Sequence, residues 1–231
     1  MNNESLIKVV TLEAESTGYL FLSHDEKKSF VITSKHSICD QKDNCDPYKN
    51  KVDGCCRSCP KEFPMEKIHL LQEETQEKLN ISKIFYDKNK DFTIIEVNEK
   101  ATNKLIINEE IYTESYIARG FNEKDKDWIN LDLDKPKPFG SMIYYRHSNS
   151  SPNLVEKKDN FKGISGSVIF TYHQDNSQQI AKAIIIHNES HNDFGTESLE
   201  TLDFDYINTF FEYHVFHRKK DIELDKALLN H

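Results

Sequence analysis

The chain has 231 residues, of which 37% are hydrophobic and 30% charged, and its formal net charge is −9. That length can bury a full core, either as two small β-barrels or as one larger domain. The acidic balance and the lack of any long basic block argue against nucleic acid as a partner. Arg218-Lys219-Lys220 reads as the end of a helix rather than a phosphate site. The first twelve residues lack a basic and then apolar leader, and no stretch approaches a membrane span, so the expectation is a cytoplasmic protein with no membrane contact.

In chain order, strand-like runs fall at 17–22, 29–33, 92–97, 110–120, 141–146, 167–172 and 180–187, separated by charged turns such as Asp25-Glu26-Lys27-Lys28. Residues 66–79 are ambiguous. Ile68, Leu71, Thr75 and Leu79 suit a helix, whereas 67–71 also reads as a strand. A helix is predicted over 202–217, with Phe204, Ile207, Phe211 and Val215 on one face. Short, regularly spaced strands with little helical patterning predict an all-β, antiparallel barrel or sandwich. Lys135-Pro136-Lys137-Pro138 marks a break within the second half.

Three short segments carry chemistry. Phe30-Val31-Ile32-Thr33-Ser34-Lys35-His36 is a β-rich run that ends in a histidine. Asp91-Phe92-Thr93-Ile94-Ile95 sets an aspartate at the mouth of an alternating strand. Gly163-Ile164-Ser165-Gly166-Ser167 puts a serine in a glycine-flanked turn before the apolar run Val168-Ile169-Phe170. A serine hydroxyl is a weak nucleophile until a base takes its proton, and histidine titrates in the right range to do so. A glycine can turn its N–H toward the point where an oxyanion develops. Taken singly, each segment also reads as an ordinary turn or strand end.

The order His36, Asp91, Ser165 resembles the trypsin-like serine protease family, whose segments read T-A-A-H, D-I-A-L-L and G-D-S-G-G. The resemblance spans most of the chain but is thin between motifs. It implies two antiparallel β-barrels with a C-terminal α-helix: an N-terminal barrel over about 1–108, a C-terminal barrel over about 109–200 and the helix at 202–217. It implies a catalytic triad of His36, Asp91 and Ser165, with the N–H groups of Gly163 and Ser165 as oxyanion donors. It also puts Asp159, six residues before the serine, at the floor of the substrate pocket, with the strand through His187 and Asn188 as a wall. A carboxylate there would favour Arg or Lys side chains. The expected activity is a serine endopeptidase acting on protein substrates, of intracellular bacterial type. Its setting, by analogy, is antiviral defence.

One departure from the family pattern is informative. Ile164 stands where the digestive enzymes have an aspartate that pairs with a newly cut N-terminus. Activation by that route is not expected, so control would come from a regulatory protein partner, an oligomer or an ordering loop. The competing readings are a catalytically silent trypsin-like fold and a zinc-loop module acting in protein–protein interaction.

The five cysteines, Cys39, Cys45, Cys55, Cys56 and Cys59, fall in a polar loop over 37–65 with the spacing C-x5-C-x9-C-C-x2-C. An odd, clustered set in a reducing compartment reads as a structural Zn²⁺ site rather than a disulfide framework. The expected ligands are Cys39, Cys45, Cys59 and one of Cys55 and Cys56, with His69 in reserve. Free or disulfide-paired cysteines are the alternative.

Overall fold

A computed structural model describes residues 3–12, 14–39, 63–87, 90–107, 115–139, 142–146, 162–173, 178–191 and 196–215, with the backbone alone at 3, 137–139, 142–144, 146, 187–191 and 196–198. Its strands are β1 (Leu6–Val10), β2 (Glu15–Leu22), β3 (Ser29–Thr33), β4 (His69–Gln72), β5 (Lys78–Leu79), β6 (Ile81–Tyr86) and β7 (Thr93–Val97) in the first half. The second half contains β8 (Tyr116–Asn122), β9 (Asp127–Leu133), β10 (Lys137–Phe139), β11 (Met142–Arg146), β12 (Val168–Tyr172), β13 (Gln179–His191) and β14 (Thr196–Asp203). They form two seven-stranded antiparallel sheets, ordered β5-β4-β1-β2-β3-β7-β6 and β10-β11-β14-β13-β12-β8-β9.

The runs Val31-Ile32, Ile94-Ile95 and Ile184-Ile185-Ile186 are apolar without alternation because these strands are buried on both faces. Phe30, Ile32, Ile94, Val168, Phe170, Ile184 and Ile186 share one core between the two sheets. Val31, Ile95 and Val97 turn into a second core behind the N-terminal sheet, and Ile169, Ala183 and Ile185 into a third behind the C-terminal sheet. Each strand thus divides its side chains between two cores, as the period of two demands.

The C-terminal helix starts two residues later than the sequence predicts. Residues 202 and 203 complete β14, α1 runs Phe204–Phe210, and a π-helical turn Phe211–Val215 follows. Asp203 sets the start, because its side chain accepts the N–H of Asp205 at 2.7 Å and caps the first turn. The predicted apolar face is nonetheless the buried one: Phe204, Ile207, Phe211 and Val215 all enter the core between the sheets. Over 66–79 the helix alternative is wrong. A 3₁₀ turn Met65–Lys67 leads into β4, and β4 pairs with both β1 and β5. Among the described residues no helix is long and apolar enough to cross a membrane.

Candidate active site

β3 ends at Thr33, and the chain folds at once into a 3₁₀ turn, Lys35–Ile38, that carries His36. β7 pairs with β3 along its whole length, from Ser29↔Val97 to Thr33↔Thr93. This register sets the residues just before β7 beside the residues just after β3, so Asp91 meets His36. Asp91 Oδ1 accepts the backbone N–H of His36 at 2.9 Å, and Oδ2 lies 2.6 Å from Nδ1 of its ring. One carboxylate therefore holds both the backbone and the ring of His36. With Nδ1 protonated, Nε2 is left as the basic nitrogen.

Asp91 is buried, with 7% of its surface exposed, while the His36 side chain keeps 28%. Burial alone would raise the Asp91 pKa. The charge of the His36 ring, the hydrogen bonds from that ring and its backbone, and the charge of Lys35 outweigh burial and hold the carboxyl below its ordinary value. Asp91 is thus an anion at neutral pH, suited to orienting an imidazole and stabilising its protonated form.

Ser165 comes from the C-terminal half. Its turn is tied down by backbone carbonyls: Gly163 O accepts from Thr17 Oγ1 at 3.0 Å, Ser165 O from Thr17 N at 3.1 Å, and Ile164 O from Ser167 N at 2.9 Å. Gly166 N donates to Ile185 O at 2.7 Å, fastening the turn to β13. Gly163 and Gly166 have φ of 97° and 91°, values that only glycine adopts at low cost. A Cβ on Gly166 would collide with the Thr17 carbonyl and the Thr33 hydroxyl and lie 3.1 Å from the backbone nitrogen of Ser34. The serine turn is therefore packed against Thr33-Ser34, with only Lys35 between that pair and His36. Among the described residues, the N–H groups of Gly163 and Ser165 donate to no acceptor, and no hydrogen bond joins the Ser165 hydroxyl to His36. Ile164 is buried in the core behind the C-terminal sheet, at 1% exposure.

The remaining sequence expectations fare differently. His187 and Asn188 lie on β13, where their backbones pair with Glu200 and Leu199 of β14. Asp159 lies outside the described residues. Cys39 is buried, packed in the core behind the N-terminal sheet, while Cys45, Cys55, Cys56 and Cys59 lie outside the described residues. No cluster of three metal-ligating side chains occurs among the described residues, and His69 is not part of one. Sequence reasoning missed Thr17, whose backbone and hydroxyl both hold the serine turn, and Lys35, which is buried at 1% exposure. No local signal marks Thr17, because its partners in the serine turn lie 146 residues away or more.

No protein-family model matches the chain, and no curated protein matches its sequence. Its fold does have solved counterparts. The Rv3671c protease of M. tuberculosis H37Rv, as a serine-to-alanine mutant in its inactive form, superposes with a TM-score of 0.54 at 11% identity, over 94% of this chain and 89% of that one. A second structure of the Rv3671c protease in its inactive form gives 0.54 at 13% identity, over 92% and 90%. The serine protease of a human pathogenic astrovirus gives 0.52 at 13% identity, over 88% and 92%. At such identities the likeness speaks for the fold: this chain has the two-barrel fold of the trypsin-like serine proteases.

Proposed function

We propose that the chain is a serine endopeptidase that works through His36, Asp91 and Ser165. The observation that carries this reading is the double hold of Asp91 on His36, with the glycine-flanked Ser165 turn packed against the residues just before that histidine. His36 Nε2 takes the proton of Ser165 Oγ as the oxygen attacks the scissile carbonyl. Asp91 keeps Nδ1 protonated and stabilises the imidazolium. The N–H groups of Gly163 and Ser165 receive the oxyanion. The C–N bond then breaks, and His36 returns its proton to the leaving amine. Water, deprotonated by the same nitrogen, hydrolyses the acyl-serine.

A fluorophosphonate probe tests this directly, since only an activated serine is labelled. Labelling of the wild type that disappears in Ser165→Ala, with an unchanged melting temperature, is the expected result. A folded wild type that stays unlabelled would leave a catalytically silent trypsin-like fold.

The finer assignments belong to the same reading. Asp159 would select Arg or Lys, and its neutralisation by Asp159→Ala should remove cleavage after basic residues in a peptide library. His187 and Asn188 would line the same pocket. One structural Zn²⁺ would be held by Cys39, Cys45, Cys59 and one of Cys55 and Cys56. Cys39 directly follows the 3₁₀ turn of His36, so a metal there would brace the catalytic turn. Metal analysis of protein purified without added zinc should return one equivalent. Disulfides with no metal would refute it. A regulatory protein partner and an intracellular bacterial setting in antiviral defence complete the proposal.

A further inference from the structure

At the other end of the strands from His36 and Ser165, both sheets and α1 border a second concavity. β2 and β3 pair from Gly18↔Thr33 to Leu22↔Ser29, so Phe21 and Leu22 lie at the end of that pair away from the His36 turn. Gln178, whose carbonyl accepts the N–H of His173, lies beyond the end of β12 away from Ser165. Residues 103–106 run between the sheets. Leu22 N donates to Asn103 O at 2.7 Å, and Ala181 N of β13 to Ile106 O at 2.8 Å. These described segments and α1 line an open cavity of about 560 Å³, a size that suits a small organic ligand. Its walls are apolar, formed by Phe21, Leu105, Ile107, Phe204, Ile207 and Phe211. The same six side chains belong to the core between the sheets or pack against it.

The mouth is charged unevenly. His24 and Lys104 form one lip, and Glu212 stands on the helix side. Lys104 Nζ pairs with Glu26 at 2.5 Å, but the two side chains are 45% and 59% exposed, and solvent keeps such a pair weak. The hydrogen bond and charge of Lys104, with the charges of Lys100 and His24, hold the Glu26 carboxyl below its ordinary value. Three basic side chains thus gather round one carboxylate, at the edge of an apolar slot. We infer that this cavity is a binding site for an amphiphile with one apolar chain and an anionic head, the chain against Phe204, Ile207 and Phe211 and the head at Lys104 and His24. Burial of the chain supplies the affinity, because an apolar wall offers water few partners. The charge of Glu212 keeps an anionic head on the Lys104 side and so fixes the orientation. The inference does not rest on the triad reading.

The probe is decanoate, titrated calorimetrically into the full chain below its micelle concentration, with octanoate and decyltrimethylammonium beside it. Decanoate should saturate a single site. Octanoate should bind about tenfold more weakly for its two missing methylenes. The cationic chain should also bind about tenfold more weakly, and Lys104→Glu should weaken decanoate by about the same factor. Asn208→Trp and Gln178→Trp fill the cavity from half-buried positions on different segments, and either should abolish binding in a folded chain. Ser165→Ala should bind as the wild type does. The inference is overturned by a lack of saturable binding, by a cationic chain that binds as tightly, by wild-type affinity in a folded tryptophan variant, or by loss of binding in Ser165→Ala. Should one tryptophan variant fail to fold, the other carries the same reading. The two proposals fail separately. A wild type that binds decanoate but stays unlabelled by fluorophosphonate defeats the protease reading alone, whereas a labelled wild type that binds no decanoate defeats this one alone.

Discussion

The two halves of the molecule bring their parts of the site by different means. The N-terminal half presents His36 and Asp91 on residues that flank paired strands, and binds them with side-chain hydrogen bonds and charge. The C-terminal half presents Ser165 on a turn bound almost wholly by backbone carbonyls and by two glycines at positive φ. The first arrangement is electrostatic and should respond to charge and pH in a graded way. The second is steric and should fail abruptly when a single methyl group is added.

Gly166→Ala tests the steric side and should have the largest effect. The left-handed φ and the collision with Thr17 and Thr33 together predict a loss of roughly 3 kcal/mol in urea unfolding. Serine labelling should be lost with it. A variant with wild-type stability and full labelling would show that the turn yields easily. Asp91→Asn tests the electrostatic side. It should leave the fold intact yet reduce kcat by about 10³- to 10⁴-fold, because the amide no longer fixes the protonated Nδ1 tautomer. A drop of less than tenfold would remove Asp91 from the mechanism.

A weaker effect should appear in acid stability. The folded carboxyl of Asp91 lies below its ordinary value, so its contribution is present above about pH 4 and is lost as pH falls through the depressed folded value. The melting temperature of the wild type should therefore exceed that of Asp91→Asn near neutrality and converge on it in acid. A gap that stays constant down to pH 2 would contradict the assignment. The smallest effect is expected beside the serine turn, where Lys162 pairs with Glu123 at 3.1 Å on the surface. Lys162→Ala should cost less than about 0.5 kcal/mol and leave labelling unchanged, since exposed ion pairs contribute little.

The legible parts of the fold are apolar runs, although the apolar strands β1 and β6 were not read from the sequence. Residues 29–33 form a strand with the predicted bounds, and β12 begins one residue later than its predicted start at 167. β9 and β14 went unread because Asp-Trp-Ile-Asn-Leu-Asp-Leu and Thr-Glu-Ser-Leu-Glu-Thr-Leu-Asp are polar, and their strand character comes from pairing with β8, β11 and β13. The helix over 202–217 was legible by its apolar face but not by its start, which a capping aspartate decides. In the site, His36, Asp91 and Ser165 could be singled out because each ends or opens a recognisable segment. Thr17 and Lys35 could not, since a threonine within a strand and a lysine after one are unremarkable until their partners are known.

From the residues alone, then, came the β character of the chain, the positions of several apolar strands, the two glycines that a tight serine turn needs, and the order of histidine, aspartate and serine. These are local properties, set by side-chain period and backbone freedom within a few residues. The tertiary structure decided which aspartate oxygen holds which nitrogen of His36, that the Ser165 turn packs against Thr33-Ser34, and that a buried lysine, Lys35, donates to the Asp87 carbonyl. The hydrogen bonds among them join residues 52 and 55 positions apart. They exist only once strand pairing and the core between the sheets have closed the loops between them, and no pattern within a short window encodes that closure.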